Sequence, residues 1–314
     1  MKIDPLICVV GPTASGKTSL AVGLAKTFDA EVLSFDSMQL YRGMDVATAK
    51  PTQEEMQGVP HHMIDCVDPQ EKFSVARYKE CAEQIIADIR GRGRNVVMVG
   101  GTGLYLDTLL KNIEFLDADD EGTVRRELQT ECSEKGAEAM YEELKSIDPE
   151  YASKINPNNV KRVLRALEVY RLTGYTMSYQ IEQSRTTPPK YQSILIGLNA
   201  RDRNVLYERI NRRVDLMVEN GLLDETRVYL RSNIGATAAQ AIGIKEMIPY
   251  IQGKAGLEDC KDKLKLDTRH YAKRQLTWFR RNPEVHWLYI DDYSTGDSLL
   301  EAARQVVLKE LVEQ

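Results

Sequence analysis

Along the first hundred residues, short unbroken apolar runs alternate with longer segments whose apolar positions recur every three or four residues. LICVVGPT (6–13) is apolar up to a glycine, the pattern of a strand buried on both faces of a parallel sheet. Residues 18–27 read as a helix, and AEVLSFDS (30–37) as a second strand ending at Asp36 and Ser37. NVVMVGGT (95–102) is a third strand that breaks at a glycine pair. Before it, Ser74 is placed to cap a helix whose Val75, Tyr78, Ala82, Ile85, Ile86 and Ile89 share one face. Strand, crossover and strand predict a doubly wound parallel sheet.

The period then changes. From about residue 116 to 187 no strand is predicted, and helices are expected over 123–135, 137–145 and 159–173, the last closed by Gly174. TTPPK (186–190) reads as a linker. YQSILIGLNA (191–200) resumes the strand pattern, two helices follow, VHWLYIDD (285–292) is a last strand, and 299–312 a final amphipathic helix. The fold class is therefore α/β: a core of residues 1–115 and 190–314, with a parallel sheet flanked by helices, interrupted by a helical insertion domain at 116–189.

No apolar run is long enough to cross a bilayer, and the five cysteines, at 8, 66, 81, 132 and 260, form no CxxC pair. A reduced, cytoplasmic protein is expected, and a monomer. The net charge of −5 argues against general affinity for nucleic acid, but the charge is uneven. Residues 114–150 hold thirteen acids and four bases, whereas 261–281 hold eight bases and two acids. A local basic stripe can dock a polyanion whatever the net charge.

Gly11-Pro12-Thr13-Ala14-Ser15-Gly16-Lys17-Thr18 fits GxxxxGK[ST] in full, after a strand and at the start of a helix. The glycines let backbone N–H groups turn around an anion, and the helix N-terminus adds partial positive charge. Lys17 can reach terminal phosphate oxygens and Thr18 can ligate Mg²⁺. This makes the core P-loop NTPase-like without naming the ligand. No guanine-reading NKxD is present, and the third strand ends without an acid. The second ends at Asp36, which suits a metal-shell residue, a base or a polar strand end equally well. A small-molecule kinase using ATP remains open at this point.

Further blocks narrow the choice: DSMQLYRGMDVATAKP (36–51), PHHMID (60–65), GGTGLY (100–105), NPNNVKRVLRALEVYRLTG (156–174), RVDLMVENGLLDE (213–225) and RHYAKRQLTWFRR (269–281). With the phosphate loop, and in this order, they resemble the tRNA dimethylallyltransferase (tRNA isopentenyltransferase) family from residue 6 to about 288. The resemblance implies transfer of a dimethylallyl group from dimethylallyl diphosphate to the exocyclic amine of the tRNA adenosine 3′ to the anticodon, with Mg²⁺. Residues 11–18 and Arg213 would hold the diphosphate, with Lys17 and Thr18 nearest the departing charge. Asp36 would be the base and Thr102 would lie near the transition state. Asp36, Ser37, Met38, Gln39, Arg125, Lys161, Arg162, Val163, Leu164 and Arg165 would meet tRNA. Without the resemblance, the bases of the 159–173 helix read as a solvated face over inward Val160, Val163, Leu164 and Leu167. A free-AMP prenyltransferase is chemically close, and the basic insertion helix and C-terminal segment favour tRNA over AMP. Gln240–Lys245 is less basic than an arginine-rich turn of some relatives. His61, His62 and Cys66 read as structural, and Trp278 and Trp287 as packing residues.

Overall fold

The computed structural model describes residues 3–114, 122–232, 235 and 237–313. The elements run β1 (Leu6–Val10), α1 (Lys17–Thr27), β2 (Ala30–Ser34), α2 (Gln53–Met56), β3 (His61–His62), α3 (Val75–Gly91), β4 (Asn95–Val99) and α4 (Gly103–Leu110). Five helices follow: α5 (Thr123–Lys135), α6 (Ala137–Ile147), α7 (Pro149–Ser153), α8 (Val160–Thr173) and α9 (Met177–Thr186). The chain continues through β5 (Ser193–Asn199), α10 (Arg203–Glu219), α11 (Leu222–Arg231), α12 (Ile244–Ile251), α13 (Leu257–Phe279), β6 (His286–Tyr289) and α14 (Gly296–Glu313).

The strands form one parallel sheet in the order β3-β2-β4-β1-β5-β6. Every residue of β1, β2 and β4 is buried, which is why these strands read as continuous apolar runs. Leu20, Ala21 and Leu24 of α1 join Ala303 and Val307 of α14 in the core beside the sheet. A side chain at Gly23 would collide with Leu300. From β1 the chain moves on to β2, and from β4 to β5, in opposite directions along the sheet. Such a switch point leaves a crevice at the strands' C-terminal ends, the usual ligand position in open α/β sheets.

The chain divides into two compact units, residues 1–109 with 191–314, and residues 110–190. The second is all helical among its described residues and has its own core of Leu128, Met140, Leu144, Ala152, Ile155, Val163, Ala166 and Leu167. Asp148, almost fully buried, caps α7 through Tyr151 N–H and accepts from the Ser178 amide and hydroxyl, fastening α9.

Several sequence expectations need correction. The second strand stops at Ser34, because Asp36 folds its carboxylate back onto the next turn. Among the described residues, four α-helices, not two, lie between β5 and β6. The edge strand β3 and the helices α2, α4, α7 and α9 add to the predicted elements.

Candidate active site

The phosphate loop takes its shape from three residues. Gly11 has φ +142°, and a β-carbon there would lie 2.5 Å from the Leu198 carbonyl oxygen, so the chain leaves β1 where only glycine fits. Ala14 and Gly16 also have positive φ. Gly16 precedes α1 without a side-chain cap, leaving the first N–H groups of the helix available to an anion. Ser15 is buried, and its hydroxyl donates to Pro12 O at 2.9 Å. The Lys17 ammonium donates to the same carbonyl at 2.6 Å.

A cavity of about 300 Å³ opens beside the loop. The loop and the turn after β2 contribute Thr13, Lys17, Thr18, Asp36, Ser37, Met38 and Gln39, and α10 contributes Arg213. Apolar lining comes from Ala47 and Ala49, Met217, Ile242 and Leu264. The cavity therefore combines cations, one carboxylate and a greasy wall. Lys17 keeps part of its surface open to the cavity, yet burial pulls its amine down to about 7. The Arg213 charge lowers it further and Asp36 opposes both. Burial also lowers Arg213 from its usual value, against the pull of Asp36. Two desolvated cations beside one carboxylate favour an anionic ligand.

Asp36 Oδ1 accepts from the backbone N–H of Met38 at 2.9 Å and of Gln39 at 3.4 Å. This fixes the carboxylate at the cavity edge while its second oxygen has no partner among the described residues. Thr102, at the turn after β4, accepts from Ser37 N–H at 3.0 Å and donates to Ser37 Oγ at 3.2 Å. The loops after β1, β2 and β4 thus converge.

Helix α13 supplies residues that sequence reasoning did not single out. Gln275, buried, accepts from Thr13 N–H at 2.8 Å and donates to Gly101 O at 3.1 Å, joining the phosphate loop to the Thr102 turn. A β-carbon on Gly101 would stand 1.9 Å from Gln275 Nε2. Tyr271 and Arg274 line the same cavity. Burial, reinforced by Asp36, pushes the Tyr271 phenol up, and hydrogen bonding to Thr102 opposes this. Tyr271, Gln275 and Trp278 follow i, i+4, i+7 spacing, so the shared face was readable even though its target was not. Trp278 packs at Gly103 and donates to Asp107 at 3.2 Å, while Trp287 packs at Gly197.

In the helical unit, Lys161 and Arg162 are exposed. Arg125 and Arg165 both engage the buried Glu168 carboxylate, at 2.6 and 3.0 Å, with much of each side chain still exposed. Val163 is buried and Leu164 packs against the helical core, so any part they play in RNA contact is through the backbone they fix. Val160 is half-buried and Leu167 fully buried. His62 pairs with Glu31 at 2.6 Å, and His61 Nδ1 meets Val59 O at 2.8 Å. No cluster of three or more His, Cys, Asp or Glu suited to a metal occurs among the described residues.

Fold and cavity together define a phosphate-loop α/β protein that sets a carboxylate and an apolar wall beside a site for a phosphorylated ligand. The family profile described as IPP transferase matches residues 39–282. A tRNA dimethylallyltransferase from Thermoanaerobacter sp. (strain X514) is 47% identical over 297 residues, covering 94% of both chains. The crystal structure of a tRNA isopentenylpyrophosphate transferase from Bacillus halodurans superposes with a TM-score of 0.72 at 44% identity, covering 99% of each chain. A eukaryotic dimethylallyltransferase captured acting on tRNA gives a TM-score of 0.78 at 31% identity, over 91% of this chain and 74% of that one. The chain belongs to the IPP transferase family. The comparisons lend no support to the kinase alternative or to a free-AMP prenyltransferase.

Proposed function

We propose that the protein transfers a dimethylallyl group from dimethylallyl diphosphate to the exocyclic N6 amine of the adenosine 3′ to the tRNA anticodon. The observation that carries this reading is the cavity itself. Its cations suit a diphosphate, its apolar wall suits a short hydrocarbon, and Asp36 lines the same cavity. In the reaction the donor's C1–O bond breaks, its electron pair leaving on the diphosphate. The N6 lone pair forms the new C–N bond, and an N6 proton passes to Asp36. An exocyclic adenine amine is a poor nucleophile, so proton removal during attack lowers the barrier. Lys17, Arg213 and the uncapped N–H groups of α1 stabilise the departing charge.

Thr18 lines the cavity with Asp36, and its hydroxyl has no protein partner among the described residues. Hard oxygen donors of this kind suit Mg²⁺, which commonly takes few protein ligands and completes its shell with phosphate oxygens and water. Thr18 and the diphosphate would hold the ion, which would offset charge on the leaving group. The acceptor base must be unstacked to enter, at a cost lowest for a loop nucleotide. The turn at Asp36–Gln39 would meet that base. Arg125, Lys161, Arg162 and Arg165 would contact RNA on the helical unit, and the basic face of α13 adds Lys273 and Arg274.

The test supplies labelled dimethylallyl diphosphate with unmodified tRNA or with AMP. Label should enter tRNA at one adenosine, and Asp36→Asn should slow transfer by about 10²–10⁴-fold with tRNA binding retained. Label entering AMP but not tRNA, or no label in either, would sink the proposal.

A further inference from the structure

The donor cavity's apolar wall includes Ala47 and Ala49, which lie on a segment with no regular secondary structure. Two local bonds, Ala49 N–H to Val46 O and Lys50 N–H to Asp45 O, both at 3.0 Å, shape it, and a residue far along the chain adds three more. The Glu225 carboxylate on α11 accepts three consecutive backbone N–H groups: those of Asp45 at 2.8 Å and Val46 at 2.7 Å on one oxygen, and that of Ala47 at 2.9 Å on the other. Of the segment's carbonyls, those of Thr48 and Ala49 meet side chains that line the cavity. Gln39 Nε2 donates to Thr48 O at 3.3 Å and Ala49 O at 3.2 Å, and Arg213 Nη2 donates to Ala49 O at 3.4 Å. The Ala47 side chain packs against the turn at Gly243, where a β-carbon would lie 3.1 Å from Ala47 Cβ. Lys50 closes the segment's far end, donating to Tyr41 O at 2.6 Å and Asp45 at 2.7 Å.

We infer that Glu225 is a positioning residue for the donor: its triple acceptance shapes the wall against which the prenyl chain lies and sets the carbonyl on which Arg213 rests. The inference rests on the proposed reaction. The carboxylate does not line the cavity, so it acts through residues 45–49 alone. A carboxylate is suited to the task because it only accepts, and charged acceptors bind N–H groups more strongly than neutral ones. Glutamine has the same shape but would turn an NH₂ donor towards N–H groups. A residue that only stabilised the fold would affect both substrates alike, whereas Glu225 should act chiefly on the donor, its one link to the base-facing turn being the Gln39 side chain.

The experiment compares the wild type with Glu225→Gln. Calorimetry measures the Kd of dimethylallyl diphosphate without tRNA, steady-state transfer gives KM for each substrate, and a thermal melt checks folding. Donor Kd and KM should rise about tenfold, the scale of one lost charge-assisted hydrogen bond, with tRNA KM within about twofold of wild type. If Glu225→Gln melts below the assay temperature, Glu225→Asp, which keeps the charge on a shorter stem, is measured the same way. Donor Kd and KM unchanged while the melt falls, or both substrate KM values rising together, would overturn the inference. If the wild type binds donor but labels no tRNA, the proposed function fails, and the calorimetric comparison still decides the role of Glu225.

Discussion

Lys17 provides the sharpest test of how the loop holds its ligand. In the protein without donor, burial and Arg213 bring its amine to about 7, from an ordinary 10.5. A diphosphate against the ammonium would favour the charged form and restore an ordinary value. The sign follows. Below pH 7 the amine is charged before and after binding, so this group adds no pH dependence. Above pH 7 binding must take up a proton, and affinity falls until the bound-state value is reached. Between pH 7 and pH 9 the dissociation constant should rise about fiftyfold, or about 2 kcal/mol at 1.36 kcal/mol per pKa unit. Calorimetry at pH 8.5 in two buffers of different ionisation enthalpy should report close to one proton taken up per donor bound. Lys17→Arg keeps its charge throughout and should lose both slope and uptake while still binding. Equal proton uptake in wild type and Lys17→Arg, or none in the wild type, would refute the reasoning.

Other outcomes follow from the same contacts. Gln275→Leu leaves the Thr13 N–H and the Gly101 carbonyl without their partner, and should cost about 1–3 kcal/mol in urea unfolding while raising donor KM. Gly101→Ala should have a similar effect, because its β-carbon would occupy the place of the Gln275 amide. Lys161→Ala and Arg162→Ala should each lower the salt dependence of tRNA binding by about one unit of slope, measured by filter binding across salt concentrations, with donor Kd unchanged.

The parts of the fold legible in sequence are those with a repeating physical signal. β1, β2 and β4 are buried on both faces and so spell unbroken apolar runs. The phosphate loop is local, so its spacing survives in eight consecutive residues. The two-residue strand β3 is too short to carry a period, and the segment between β5 and β6 hides its boundaries. Gly221, Gly243 and Gly256 stand immediately before α11, α12 and α13, and reading them as helix punctuation would have divided that stretch correctly. Gln275 and Glu225 lay beyond reach for a different reason. Each acts on backbone groups more than 170 positions away, and a hydrogen bond to a distant amide leaves no pattern in the side chains around it.

The bond from Thr13 to Gln275 also bears on how the chain is made. These residues are 262 positions apart, so the loop is synthesised long before its partner. β1 meets the same delay, since its neighbours β4 and β5 begin at residues 95 and 193. At about 5–20 residues per second, roughly 13 to 50 seconds separate the loop from Gln275. During that interval the helical unit, a continuous stretch with its own core, can fold as it is made, while the first strand waits for its neighbours. An arrested or truncated chain ending before α13 would then carry a folded helical unit and an unbraced phosphate loop. The donor site would be assembled only once α13 has been made.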